Sequence, residues 1–433
     1  MIPRAYNSAV PSALARILAS PRFATSLTHV ALGVAFSISL LKSVMGWAGL
    51  AAVLVGLVAL AAFSLSARRA SIEWHGLLPI SILVFLGWST LTLVWSGYTV
   101  ATLTGVGYQL TFAFLAVYIA LARDTIQIVR ATGDVLRVLL GVSLALEVVS
   151  GLLLDLPIAF LGIQGNLARL GPIQGIFGSR NVLGLVALLA FITFAVELRS
   201  RSLRRGPAIG SLVLAGLCIL LAGSPVIMLV ALFVGVAALA LYWLRRTPAE
   251  GRWMLQLGLL GATVIALIGA WIARGRLIEL LNAGSEFEVR YTLWREMWRL
   301  IALHPLEGWG WAGYWPNNVT PYGWLDFVTG RDQSSGLNAF LDVYFQAGLV
   351  GFLAFVALVG LAFVRSWLLA SNKRTFVHVW PALTLVALLV ASAAESTILV
   401  EFGWLLLVVC AMKASQGMSW RSALARHPRR FED

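Results

Sequence analysis

The chain has 433 residues, 60% of them hydrophobic and only 12% charged, with a mean hydropathy of +0.87. So apolar a chain cannot clothe a water-soluble globule in a charged surface, and reads as a polytopic membrane protein. Its 32 Lys and Arg against 19 Asp and Glu give a net charge of +13. The basic residues are scattered over many connections, as in cytoplasmic loops drawn to an anionic lipid bilayer, and no nucleic acid is expected as a partner.

A hydrocarbon core about 30 Å thick needs roughly 20 apolar residues per helix, and such runs recur about twelve times. In chain order they lie near residues 25–41, 44–66, 75–94, 99–122, 132–154, 180–197, 208–222, 226–244, 254–273, 340–364, 378–396 and 399–412. The runs are continuous rather than alternating, which excludes a β-barrel and predicts an all-α fold. Arg4, Arg16 and Arg22 precede the first span. Alternate connections carry Arg68 and Arg69, Arg123 and Arg130, the cluster Arg199 to Arg205, Arg245, Arg246 and Arg252, then Arg365, Lys373 and Arg374. The positive-inside rule makes these cytoplasmic, together with both termini. The expected layout is a cytoplasmic segment 1–24, a transmembrane domain 25–412 and a basic tail 413–433. The N-terminal apolar stretch lacks a short signal-peptide core with a small-residue cleavage site and reads as the first helix. Cys218 and Cys410 fall in apolar spans without metal or disulfide spacing.

Two outward connections break the pattern of short neutral loops. One, about 155–180, carries Arg169 and Arg180; the other, 274–339, is a large external loop between the ninth and tenth spans, rich in Trp, Gly, Pro and Asn. Arginines held against the charge bias point to an anionic ligand or to structural ion pairs. Within the large loop, Val289, Leu293, Met297, Leu300 and Ile301 share one helical face and Glu288, Thr292, Arg295, Glu296 and Arg299 the other. Arg290 lies in the middle of the apolar face, where a guanidinium must snorkel, pair with a buried carboxylate or bind an anion. Glu395 and Glu401 sit on the same outer side and Glu147 lies inside the fifth span. Carboxylates at such depth are functional candidates, or salt-bridge partners of Arg290 or Arg180.

Several segments in order carry a family resemblance: Gly175 to Gly184 with Phe177 and Asn181, Arg169 upstream, the pair Arg290 and Trp294, the turn Pro305 to Gly310, then Asn338 to Asp342 and Gln346 to Gly351. Over roughly 160–410 the chain resembles the O-antigen ligase and Wzy-type polymerase superfamily, including exopolysaccharide production proteins similar to ExoQ. The resemblance implies a bacterial inner-membrane enzyme that takes a glycan from a polyprenyl diphosphate carrier and joins it to a hydroxyl of an acceptor glycan or glycolipid at the outer face. Arginines can stabilise a diphosphate leaving group by bidentate hydrogen bonds, so neither metal nor cofactor is expected. Arg290, Arg169 and Arg180 are the expected diphosphate ligands, with Asn181, Trp294 and Asn338 beside them. Trp309, Trp311, Tyr314, Trp315, Tyr322 and Trp324 offer flat faces for sugars, or interfacial anchors.

Two positions depart from the family. The histidine expected before the loop asparagine, the base of its ligases, is Leu337, and an expected Ser-Arg pair is Ser224 and Pro225. Glu395, or less favourably Asp342, is then the expected substitute base, and His304 reads as a helix C-terminal residue. A carrier-glycan binding protein without catalysis is the second reading. Secondary transport is the third, disfavoured by the absence of matched halves in the sequence.

Overall fold

A computed structural model of the chain describes residues 12–69, 79–169, 171–272, 275–276, 284–316 and 319–418. Among them every regular element is helical; the one extended pairing is an isolated bridge between Ile158 and Ile163. The bundle begins with α1 (Ser12–Leu18), α2 (Pro21–Phe36) and α3 (Ile38–Ala67). Ser20 caps α2, accepting from Phe23 N–H at 3.2 Å with Pro21 at the first helical position. There follow α4 (Ile80–Leu91), α5 (Thr99–Ala122), α6 (Thr125–Val148, prolonged by a π-helical stretch to Leu154), α7 (Arg180–Ser200), α8 (Arg205–Ala222), α9 (Pro225–Arg246) and α10 (Arg252–Ile272). The large loop holds α11 (Gly284–Ile301) and α12 (Tyr322–Thr329), and the chain ends in α13 (Ala339–Asn372), α14 (Val379–Ala391) and α15 (Glu401–Gly417).

Each of the expected spans is helical over most of its described length, and among the described residues 7 helices are long and apolar enough to cross a membrane. The tenth span starts elsewhere than its hydropathy suggests. Gly348, at φ 66 and ψ −171, breaks α13 into a short leading piece and a long apolar one, and the leading piece folds with the loop. Of the expected cytoplasmic ends, residues 1–11 and 419–433 lie outside the described residues, as does Arg274 at the start of the loop.

Helices α7, α14 and α15 are well enclosed: every residue from Val379 to Leu388 and from Phe402 to Met412 is buried, whereas α8 and α9 turn Val213, Leu220 and Leu232 outward. Lipid is as apolar as leucine, so close packing and side-chain hydrogen bonds hold such helices together more than transfer from water. Trp380 donates to Thr193 Oγ1 at 2.9 Å and Trp404 to the Gln109 carbonyl at 3.1 Å. Arg137 of α6 donates to Glu197 of α7, and at 2.8 Å to both Asp134 Oδ1 and Ser211 Oγ, with its guanidinium 4.7 Å over the Phe194 ring.

The basic connections gather at one end. There Arg130 donates to the Ser202 carbonyl, Arg245 to the Ala370 and Arg374 carbonyls, and Arg252 to Asn372 Oδ1. The loop helices and the residues around Asn181 and Glu395 occupy the other.

Candidate active site

The apolar face read from the sequence is the one the loop buries, though Glu296, read onto the polar face, is buried as well at 7% exposed. Leu293, Met297 and Ile301 of α11 are buried with Trp315, Tyr322, Leu325, Leu341 and Phe345 in a small core of their own. Below it the loop is riveted to the start of α13, backbone to backbone. Trp309 N–H donates to the Phe345 carbonyl at 3.1 Å, Gly310 to Gln346 at 2.8 Å, and Leu349 to Pro305 at 3.0 Å. A Cβ on Gly348 would lie 2.2 Å from the Leu306 carbonyl oxygen, and one on Gly308 2.4 Å from Gly348 N. Only glycine permits both this approach and the positive φ at the two positions. The segments Pro305 to Gly310 and Gln346 to Gly351 are thus one mechanical joint.

Asp342 completes that joint. It is fully buried and accepts from Trp315 Nε1 at 2.9 Å, Gln346 Nε2 at 2.7 Å and Gly336 N–H at 3.0 Å. Gln346 in turn accepts from the Ala312 and Gly313 amides. So saturated a carboxylate ties the loop to the start of α13, with every one of these bonds internal to that joint. His304 bonds Glu307 Oε1 at 3.0 Å and packs edge-on against Trp309, the helix-terminal role read for it. That bond holds the Glu307 carboxyl below the usual carboxylate range.

The shorter outer connection is positioned from beneath. Glu147 of α6, 1% exposed, accepts from the Gln174 and Gly175 amides at 3.0 and 2.8 Å, and is a structural anchor. The chain then reaches Ser179, which caps α7 by accepting from Val182 N–H, so that Arg180 and Asn181 open the helix.

Five segments distant in sequence meet at this end. Arg290 of α11, 9% exposed, donates to Glu395 Oε1 at 3.2 Å, and Asn181 Nδ2 of α7 donates to the same oxygen at 2.6 Å. Ser224, the cap of α9, donates to Asn181 Oδ1 at 2.7 Å. Asn338 caps α13, accepting from the Phe340 and Leu341 amides at 3.1 Å, while its Nδ2 donates to the Ala393 carbonyl at 3.2 Å. Both charged side chains are largely enclosed, at 11% exposed for Arg290 and 15% for Glu395. The arrangement places a bidentate-capable cation, a carboxylate and the amide-rich first turn of α7 together, a set able to hold an anionic group and to accept a proton.

The remaining expected residues divide. Trp294 stands on α11 beside the cluster, its Nε1 bonded to the Gly336 carbonyl at 2.9 Å. Arg180 is half-buried next to Asn181, whereas Arg169 is exposed in a 3-10 turn, and no hydrogen bond or ion pair joins it to Arg290 or Glu395 among the described residues. Trp311 is fully buried, packed on Phe85 at 5.6 Å in the main core, so it anchors the loop and offers no face to a sugar. Trp309 is partly enclosed between His304 and Phe345, its Nε1 on the Leu300 carbonyl. Trp315 and Tyr322 are likewise internal; burial pushes the Tyr98 and Tyr322 hydroxyls well above the usual range, which keeps their 2.8 Å mutual hydrogen bond protonated. Trp324 remains exposed on α12, together with Tyr291 and Trp298 on α11. Leu337 takes φ 49, a left-handed conformation in which asparagine, aspartate and histidine are enriched, and packs its side chain on the loop core.

Sequence reasoning passed over Ser224 as a site residue. Its signal was the Ser-Pro helix start, which marks a cap but says nothing of the asparagine it meets. Glu401 accepts from Tyr108 OH at 3.1 Å, tying α15 to α5.

Comparison with known proteins places a name beside this geometry. Residues 210–356, about a third of the chain, match the family model described as O-antigen ligase. The stretch takes in α8 to α11 and the joint with α13, hence Ser224, Arg290, Trp294, Trp309, Trp311 and Asn338, but stops short of Glu395 and begins after Asn181. The resemblance to the O-antigen ligase and Wzy-type superfamily is thereby borne out. A search of curated proteins finds no match to the chain.

Proposed function

We propose, from the O-antigen ligase match as premise, that the chain is a glycan ligase or polymerase of the bacterial inner membrane. It moves saccharide from a polyprenyl diphosphate carrier to an acceptor hydroxyl at the outer face. The observation that carries this reading is the Arg290 to Glu395 pair, set between a loop helix and the bundle at the end away from the basic connections.

In the resting protein Glu395 holds Arg290 in place. An arriving diphosphate competes for the guanidinium and is bound by it as a fork, assisted by Arg180 and the first turn of α7. Glu395, relieved of its counter-charge and facing an anion, becomes the base. The acceptor oxygen attacks the anomeric carbon, its proton passes to Glu395, and the bond from that carbon to the diphosphate breaks with the electron pair leaving on the phosphate. Leu337 supplies neither proton transfer nor charge, so the carboxylate does the work given to histidine elsewhere in the superfamily.

The test is genetic and chemical. Deleting the gene and restoring it with Glu395→Gln should leave a polyprenyl-linked glycan accumulating and its surface product missing, at normal protein level. Full surface glycan in that strain would reduce the Arg290 to Glu395 pair to a structural tie. Loss of glycan with carrier binding intact but no transferase activity in the unmodified protein would favour a non-catalytic binding role. The orientation is tested by a cysteine at Ser334, which is exposed on the loop: it should react with an impermeant maleimide in cells whose inner membrane is intact.

A further inference from the structure

The hydrogen bonds that reach Glu395 from α7 begin on α9, and their direction is fixed at both ends. A main-chain amide can only donate, so Ile227 N–H donates to Ser224 Oγ at 3.3 Å and leaves the hydroxyl proton for another partner. An ionised carboxylate can only accept, so Asn181, 2.6 Å from Glu395 Oε1, presents its Nδ2 there. Its Oδ1 is thereby turned toward α9, where it accepts from the Ser224 hydroxyl at 2.7 Å. The oxygen and nitrogen of an amide have nearly the same shape, and only such partners decide between its two orientations. With the Ser224 proton removed, nothing in this chain of bonds opposes the reversed amide, which sets Oδ1 against Glu395 Oε1, one acceptor facing another.

The frame beneath these bonds is close-packed. One turn further along each helix α7 and α9 touch at Gly184, where an added Cβ would lie 2.9 Å from Ile227 Cγ1. Leu183 and Ile227 are buried there, and Ser224 itself is 1% exposed. The distance from Ser224 to Asn181 is thus a property of the helix pair. Arg290, the other donor to Glu395 Oε1, comes from the loop helix α11 and is the one an arriving diphosphate draws away. Asn181 is the donor that stays.

We propose that Ser224 is a positioning residue for the base. Its hydroxyl holds the Asn181 amide with the nitrogen toward Glu395, and so keeps the carboxylate in place while Arg290 turns to the diphosphate. This rests on the ligase or polymerase reading with Glu395 as its base. Ser224 acts here through Asn181 and not on the carrier, so its loss falls on turnover rather than on binding.

The variant that isolates the hydroxyl is Ser224→Gly, because glycine at a helix cap costs far less than alanine and α9 keeps its start. Purified full-length protein is assayed with the polyprenyl-linked glycan that accumulates in the deletion strain as donor and an envelope lipid extract of that strain as acceptor. For Ser224→Gly, kcat should fall about tenfold, the size of one hydrogen bond, with KM for the donor within about twofold of normal. Ser224→Ala loses the cap as well and should unfold at a lower temperature, yet match Ser224→Gly in kcat. Asn181→Ala should lower kcat at least as much. On that background Ser224→Gly should change kcat by less than about twofold, since the amide it orients is gone. A normal kcat for Ser224→Gly, losses that multiply in the double variant, or rates that follow thermal stability instead of the hydroxyl overturn the proposal and leave Ser224 a helix cap. Failure of the underlying reading looks different: the unmodified protein transfers nothing, or Glu395→Gln transfers normally, and the proposal then falls with it.

Discussion

Two enclosed arginine and carboxylate pairs stand at opposite ends of this bundle, and their surroundings differ. Arg137 and Glu197 join adjacent transmembrane helices; the guanidinium also reaches Asp134 and Ser211 and lies over Phe194, and the Glu197 side chain is 2% exposed. Arg290 and Glu395 join a helix of the external loop to a turn between two spans; exposure does not separate the pairs, since Arg290 and Glu395 are 11% and 15% exposed and Arg137 is 21% exposed, but their places in the fold do. A pair surrounded by partners within the membrane has no place for a ligand and serves the fold. One at the seam between loop and bundle can exchange its partner for an incoming anion. Ion pairing alone does not mark a site; the place of the pair does.

The comparison is most severely tested by Glu395→Gln, which keeps the shape and much of the hydrogen bonding but removes the base. Transfer should fall by about 10²–10⁴ with folding retained, as expected when a general base is lost. A rate within threefold of normal, measured on purified protein with its carrier substrate, would erase the distinction between the pairs.

Arg137→Gln should do the reverse. Leaving Glu197 buried without its cation costs about 3–5 kcal/mol, visible as a lower thermal unfolding temperature in detergent, while activity per folded molecule is kept. The double variant Arg137→Met with Glu197→Met should recover most of that loss, because a well-packed apolar replacement removes both charges together.

Arg290→Lys preserves charge but not the fork, and a diphosphate ligand should feel the difference as a drop of about 10² in transfer at unchanged protein level. Normal glycan output would make Arg290 a second Arg137.

The smallest effect is expected at Leu337. Its left-handed backbone suits histidine or asparagine better than leucine, so Leu337→Asn should lie within about 1 kcal/mol of the unmodified stability and leave transfer unaltered. Leu337→His is the sharper version. If Glu395 is the base, added imidazole changes little; a large gain in rate would mean that the position had lacked its base all along.

Much of the architecture was legible before any coordinates, since it follows from local periodicity. Continuous apolar runs give helices, and the basic connections gather at one end as the charge pattern implied. The 3.6-residue repeat in α11 marked the buried face on which Arg290 sits. The sixth apolar run begins where Ser179 caps α7, because capping is a local affair, whereas the helix capped by Ser20 starts a few residues before the run expected from hydropathy. The same locality is why Gly348 escaped notice: hydropathy continues smoothly across it, and only the approach of Leu306 dictates a break.

What tertiary structure decided was which of several chemically equivalent residues meet. Arg290 could have paired with any outer carboxylate, and 105 residues separate it from Glu395; no periodicity spans that interval. Asp342 and Glu395 are both outer carboxylates in the sequence, yet one is saturated by Trp315, Gln346 and Gly336 and the other faces Arg290 and Asn181. Trp311 and Trp324 read alike in a Trp-rich loop, and only packing put the first against Phe85 and the second in the open. Composition and periodicity act over a few residues and so determine helices, faces and caps; the site is made by side chains whose partners lie on other helices, and only packing chooses among them.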